Sequence, residues 1–166
     1  MSMTEKDLPS RSPEASPRLT RRGFLALGTI SVVTAGAVAS RWFNIWAETG
    51  ENALSAPQAH QAALSGDILL VDIRRPDEWA LTGVGEGAIT LDMRREDFTE
   101  ALLAAVQNDT TRPVALICAR GVRSRHQSAR LTKAGFTRII DVPEGMLGSG
   151  AGPGWIKREL PLRKES

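Results

Sequence analysis

Two apolar runs of strand length set the fold class. "DILLVDI", Asp67 to Ile73, and "PVALIC", Pro113 to Cys118, are almost unbroken by polar residues. A strand with one wet face alternates apolar and polar positions, whereas a continuous run marks a strand buried on both faces, as in a parallel sheet covered by helices. The intervening segments fit that scheme. Ser55 and Pro57 open a helical pattern through Leu64, and Gly66 closes it. "AITLDM", Ala88 to Met93, is a second short strand, and Arg95 to Asn108 is a helix with Phe98, Leu102, Ala105 and Val106 on one stripe. Ser124 to Gly135 is a helix opened by serine and stopped by glycine, and "RIIDV", Arg138 to Val142, is a fourth strand. Arg74 to Gly87 reads as a polar connection, and the end of the chain as a glycine-rich loop with one short terminal helix. Strands alternating with helices at this spacing predict an α/β domain with a mostly parallel central sheet flanked by helices, three layers in all.

With 166 residues, 42% of them hydrophobic and 24% charged, the chain suffices for one small domain with a real core. The net charge of +2 lies entirely in the first 39 residues, where Lys6, Arg11, Arg18, Arg21 and Arg22 face Glu5, Asp7 and Glu14. From Ser40 onward the charges cancel, so no global field points to a nucleic-acid partner. One cysteine excludes an intrachain disulfide, and with only His60 and His126 beside it a tetrahedral zinc site is hard to assemble. Neither a metal nor a cofactor is expected.

The first 39 residues read as an address. A polar stretch with three prolines turns abruptly apolar at Gly23, and Gly23 to Ala39 carries no charge, although it is short against the roughly 20 residues that span a bilayer. "TRRGFLA", Thr20 to Ala26, sets Arg21 and Arg22 at this boundary and resembles a twin-arginine export signal. Ala37 and Ala39 offer small residues for cleavage before Ser40; a leader kept in place would instead act as a membrane anchor, with Trp42, Phe43 and Trp46 at the interface. The expected organisation is a leader over 1–39, a linker over 40–54, a domain over 55–162 and a tail over 163–166. The expected location is the periplasm, or the outer face of the inner membrane, of a bacterium.

Chemistry concentrates in "CARGVRS", Cys118 to Ser124. Cys118 ends a buried strand, and in open α/β sheets ligands bind beyond the carboxyl ends of the strands. Six residues, Cys118 to Arg123, lead from strand to helix. Gly121 allows the positive φ with which such a loop curls its N–H groups toward a common centre. The helix dipole and the charges of Arg120 and Arg123 add to the positive field, which favours the nucleophilic thiolate over the thiol. His126, one turn on, has the chemistry of a general base but fits better as a helix-surface residue.

"CARGVRS", together with "LLVDIRRPDEW" upstream, "GEGAITLDM" after it and "AGFTRIIDVPEGM" downstream, resembles a single-domain rhodanese, over roughly Ser55 to Leu162. The resemblance implies a rhodanese-like fold and a sulfurtransferase in which Cys118 takes a sulfane sulfur from a small anionic donor such as thiosulfate. The resulting persulfide passes its outer sulfur to cyanide or a thiol acceptor. It further implies that the amides of Ala119, Arg120, Gly121, Val122, Arg123 and Ser124 hold the persulfide, and that Arg120 and Arg123 orient the donor and stabilise departing sulfite. Asp72 and Arg74 match a family D-x-R element and read as structural, pairing with Glu78 or the loop. Two segments depart from the family pattern. "GVGEGA", Gly83 to Ala88, lacks a histidine and a proline in a loop near the family's site, and "LGSGAGPGW" is longer and richer in glycine than usual.

Two other functions compete. Cysteine-dependent phosphatases and arsenate reductases are expected to carry Cys-x5-Arg, whereas Cys118 to Arg123 is the tighter Cys-x4-Arg. A persulfide carrier or interaction module serving an exported protein partner, with little turnover, needs the same cysteine and is not separated from the enzyme by sequence.

Overall fold

The computed structural model describes residues 52–165. The leader, with Arg21 and Arg22, and most of the expected linker lie outside the described residues. Four parallel strands, β1 (Leu69–Asp72), β3 (Ala88–Thr90), β4 (Val114–Ile117) and β5 (Ile139–Val142), form a sheet in the order β3-β1-β4-β5. Among the described residues four helices accompany it: α1 (Ala56–Ser65), α2 (Pro76–Thr82), α3 (Phe98–Ala105) and α4 (Val122–Lys133). A two-stranded antiparallel ribbon pairs β2 (Val84–Gly85) with β6 (Leu162–Arg163).

The uninterrupted apolar runs have the expected cause. All four residues of β4 are buried, because alternate side chains enter two separate cores. Leu70, Ala115 and Ile117 join Ala56, Ala59, Met146 and Trp155 on one face. Val71, Ile73, Val114, Leu116 and Cys118 join Phe98, Leu102, Val106 and Leu131 on the other. The fold is therefore the expected three-layer α/β arrangement with a mostly parallel central sheet.

The helix boundaries follow local chemistry. Ser55 opens α1 with a capping box, in which its backbone N–H donates to Gln58 Oε1 at 2.9 Å, the Ala59 amide donates to Ser55 O at 2.9 Å, and Gly66 closes α1 at φ +80°. The predicted polar connection after β1 contains a helix instead. Arg75, Pro76, Asp77 and Glu78 are a helix start, with proline in the first turn and two acids beside the positive end of the dipole. α4 begins at Val122, two residues before the expected serine, because Gly121 at φ +76° occupies the cap.

The chain end also differs from expectation. Residues 155–159 form turns rather than a helix, and the expected tail begins inside a strand, since Arg163 belongs to β6 and Glu165 accepts from Thr90 Oγ1 at 2.8 Å. The linker's last residues likewise reach the sheet, where Leu54 N–H donates to Asp141 O at 2.9 Å.

Candidate functional site

Cys118 follows β4 directly and is 1% exposed, at the base of a cleft of about 440 Å³ beyond the carboxyl ends of the strands. Arg75 and Glu78 from the start of α2, the Cys118–Arg123 segment, and Leu147 surround it. The first N–H groups of α4, on Val122, Arg123 and Ser124, have no acceptor within the helix, and no side chain caps them. This is the anion-receptive end of a helix, placed beside a sulfur. The Cys118 Sγ lies 3.6 Å from Ser124 Oγ, within hydrogen-bond reach for sulfur.

The loop's shape is fixed from above by residues 143–148. Met146 N–H donates to Cys118 O and Leu147 N–H to Ala119 O, both at 2.9 Å. A Cβ on Gly121 would run into the Pro143 carbonyl, and one on Gly145 would stand 2.5 Å from Ala119 O, so these two close approaches require glycine. Glu144, buried, holds this layer in place: it accepts from Gly154 N–H at 3.1 Å and from Arg158 Nε at 2.7 Å.

The expected cradle residues divide into two groups. Cys118, Ala119, Arg120, Val122 and Arg123 line the cleft; Gly121 is buried under Pro143, and Ser124 is buried beside the sulfur. Arg120 Nη1 donates to Gly148 O at 3.2 Å, tying the cysteine loop to the glycine-rich segment. His126 is exposed on α4 and does not line the cleft.

Asp72 and Arg74 pair with each other, and of the expected partners Arg74 reaches Glu78 only through its backbone carbonyl, at 3.4 Å. Arg74 Nη2 meets Asp72 Oδ2 at 2.7 Å, both side chains being essentially inaccessible (1% and 0%), and its remaining donors reach Thr82 Oγ1 and Gly83 O, each at 2.7 Å. The Glu78 carboxylate goes elsewhere. It receives Arg123 Nη1 at 2.7 Å and Nη2 at 2.6 Å, and the Arg75 amide at 3.1 Å. Burial pushes the Glu78 carboxyl up, but the Arg123 hydrogen bonds, the Arg75 amide and both positive charges outweigh it and hold the group below the usual carboxylate range. The hydrogen bonds to Glu78 in turn raise Arg123 against the cost of burial, and the Cys118 sulfur contributes in the same direction.

Glu78, Arg75 and Leu147 are the site residues that sequence reasoning missed. The helix-start signature "RRPDEW" is the available signal for the first two, since proline and two acids directly after a strand open a helix at its carboxyl end. Leu147 had none. The departure at Gly83 to Ala88 does not touch the cleft: none of these residues lines it, Gly85 packs under the Trp155 ring, and Glu86 pairs with His60 Nε2 at 2.9 Å.

The chain resembles a Rickettsia prowazekii protein, RP600, with 21% identity over 67% of this chain and 95% of that one. The solution structure of a polysulfide-sulfur transferase homodimer from Wolinella succinogenes matches at 24% identity with a TM-score of 0.53, covering 82% of this chain and 90% of that one. A thiosulfate sulfurtransferase from Pseudomonas aeruginosa matches at 23% identity and a TM-score of 0.53, covering 69% of this chain and 20% of that one. These likenesses show a shared fold. The rhodanese-like domain model matches residues 55–148, from the cap of α1 to the glycine that receives Arg120. With the cysteine loop, the parallel sheet and more than half of its residues inside that match, the chain belongs to the rhodanese-like domain family.

Proposed function

We propose that the protein is a sulfurtransferase that carries sulfane sulfur as a Cys118 persulfide. Membership of the rhodanese-like family supports a sulfur-transfer role in general. The observation that carries the specific reading is the seat of Cys118: a buried sulfur at the floor of the cleft, facing uncapped amides at the start of α4 and within reach of the Ser124 hydroxyl. In this reading the Cys118 thiolate attacks the outer sulfur of a donor, with thiosulfate as the simplest probe. The S–S bond of the donor breaks, sulfite leaves with the electron pair, and the cysteine becomes a persulfide anion held by the amides of Ala119 to Ser124. Cyanide or a thiol then removes the outer sulfur and regenerates the thiolate. No step calls for a cofactor.

Intact-mass measurement of the full chain after exposure to thiosulfate or a hydropersulfide tests this directly. The expected result is a gain of one sulfur, absent from Cys118→Ser and reversed by cyanide with release of thiocyanate. An unmodified wild-type mass with every donor would sink the reading. A persulfide that forms without catalytic turnover would instead mark a carrier serving an exported protein partner.

The leader belongs to the same proposal: "TRRGFLA" directs export of the folded domain by the twin-arginine machinery, placing the exchange in the periplasm or on the outer face of the inner membrane. Fractionation of cells producing the wild type and the Arg21→Lys/Arg22→Lys variant checks it, with retention of the variant in the cytoplasm expected. N-terminal sequencing of the exported form separates a cleaved leader from a membrane anchor.

A further inference from the structure

The cleft is less cationic than "CARGVR" suggests. Arg123 directs one donor of each terminal nitrogen to Glu78 while its guanidinium also lies within reach of the Cys118 sulfur, and Arg75 places Nη2 2.7 Å from Asp77 Oδ2 with its Nε 3.5 Å from Glu78. Glu78 is the single acid among the residues lining the cleft, and it stands between two of the three lining arginines. The paired Nη donors of Arg123 are the fork that would recognise a sulfonate or sulfite oxygen pair, and a carboxylate already occupies them.

We propose that Glu78 is a specificity-determining residue that selects against doubly charged sulfur donors and favours hydropersulfides of organic thiols. The inference rests on the sulfurtransferase reading above. A dianion such as thiosulfate must enter beside the Glu78 carboxylate and find Arg123 engaged, and its leaving group, sulfite, develops charge at the same place. A hydropersulfide carries at most one negative charge, and none in the protonated form that reacts as the electrophile. The Cys118 thiolate attacks its outer sulfur, the S–S bond breaks, the organic thiolate leaves with the electron pair, and the hydropersulfide proton stays on the transferred sulfur. Cys–S⁻ plus RS–SH thus becomes Cys–S–SH plus RS⁻, with no oxidant or reductant required. The apolar wall that Leu147 supplies, 44% exposed beside the cysteine, suits an organic leaving group better than sulfite. Glu78 acts here through Arg123 and through its own charge, as a positioning residue.

The test compares second-order rates of Cys118 persulfide formation in the full chain, followed by intact mass, with thiosulfate and with 2-hydroxyethyl hydropersulfide. The wild type is expected to load faster from the hydropersulfide. Glu78→Gln, which removes one charge at constant shape, is expected to speed thiosulfate loading about tenfold and leave hydropersulfide loading within about twofold, as for one unit charge removed a few ångströms from a dianion in a partly screened site. The thiosulfate gain should shrink at 1 M salt, where the Debye length is only about 3 Å; a purely structural change would not respond that way. Glu78→Asp keeps both the charge and a carboxylate for Arg123 to pair with, one methylene shorter, and should keep the wild-type donor preference. The proposal is overturned if Glu78→Gln leaves thiosulfate loading unchanged or slows both donors alike, or if Glu78→Asp loses the preference. Failure of every donor to load wild-type Cys118 would overturn the sulfurtransferase reading, and this inference with it.

Discussion

Asp72–Arg74 and Glu78–Arg123 are both arginine–carboxylate pairs with two-pronged contacts, and both stand at the carboxyl ends of neighbouring strands. Their surroundings differ. The first is sealed, with side-chain exposures of 0% and 1%, and Arg74 also satisfies Thr82 and Gly83, so it ties the end of β1 to the far end of α2. The second is open, with 20% and 30% exposure, and it lines the cleft beside a sulfur. Burial makes the first pair indispensable to the fold, because an unpaired charge there has no water to return to. Partial exposure makes the second weak as a brace and adjustable as a site element.

The largest effect should come from the sealed pair. Arg74→Ala leaves Asp72 buried and unpaired, and a loss of about 3–5 kcal/mol is expected in urea or guanidinium unfolding. Persulfide formation should persist wherever the variant is still folded. If Arg74→Ala instead melted like the wild type, the contrast between the two pairs would collapse. Gly121→Ala comes next. It places a Cβ against the Pro143 carbonyl at a left-handed φ of +76°, and should cost about 2 kcal/mol or more while also slowing sulfur loading. Both readouts move together here because the same backbone carries the fold and the cradle.

Glu78→Gln should lower stability by less than about 1 kcal/mol, the range of partly exposed ion pairs, while its donor preference shifts as described above. A variant that is nearly silent in melting and clear in loading is the sharpest form of the comparison. Smallest of all, Arg95→Ala removes the exposed contacts to Asp97 and should leave the melting midpoint unmoved within error.

pH separates two carboxylates that face α4. Folding lowers Glu78, so its contribution is fully present above the ordinary glutamate value of about 4.3 and is lost as pH falls through the lower folded value. The melting difference between wild type and Glu78→Gln should therefore close on acidification below that range. Asp141 runs the other way: burial raises it, only partly offset by the Ser124 hydroxyl and Arg125, and its Oδ1 has no partner. Its contribution is best below the ordinary aspartate value of about 3.9 and is lost as pH rises through the higher folded value, so Asp141→Asn should gain on the wild type as pH rises. Melting curves of the three proteins across acid to neutral pH check both signs.

Legibility followed the range of the interactions. The buried runs around Leu70 and Leu116 were readable as parallel strands because double-sided burial leaves an unbroken apolar stretch in the chain itself. Cys118, Gly121 and the short spacing to Arg123 were readable as a tight strand-to-helix loop because loop length and a positive φ are local properties. Helix α2 was overlooked although Pro76, Asp77 and Glu78 announce it; the charge of "RRPDE" obscured a helix of only seven residues. The early start of α4 was overlooked because serine is the commoner cap, and only the packing of Gly121 under Pro143 shows why glycine takes that place.

Sequence alone thus determined the three-layer arrangement and the loop that carries the lone thiol, since periodicity, caps and turn chemistry are written within a few residues of one another. Only the tertiary structure decided which carboxylate each arginine meets. Asp72, Glu78 and Asp77 are equally plausible partners by composition, and Arg74 and Arg123 are chemically identical. The choice depends on where the parallel crossover sets the start of α2 relative to the end of β4, 45 residues apart between Glu78 and Arg123. That placement turns a loop that reads as strongly cationic into a cleft whose charge is largely answered, because Coulomb interactions depend on distance in space and on burial, neither of which is recorded along the chain.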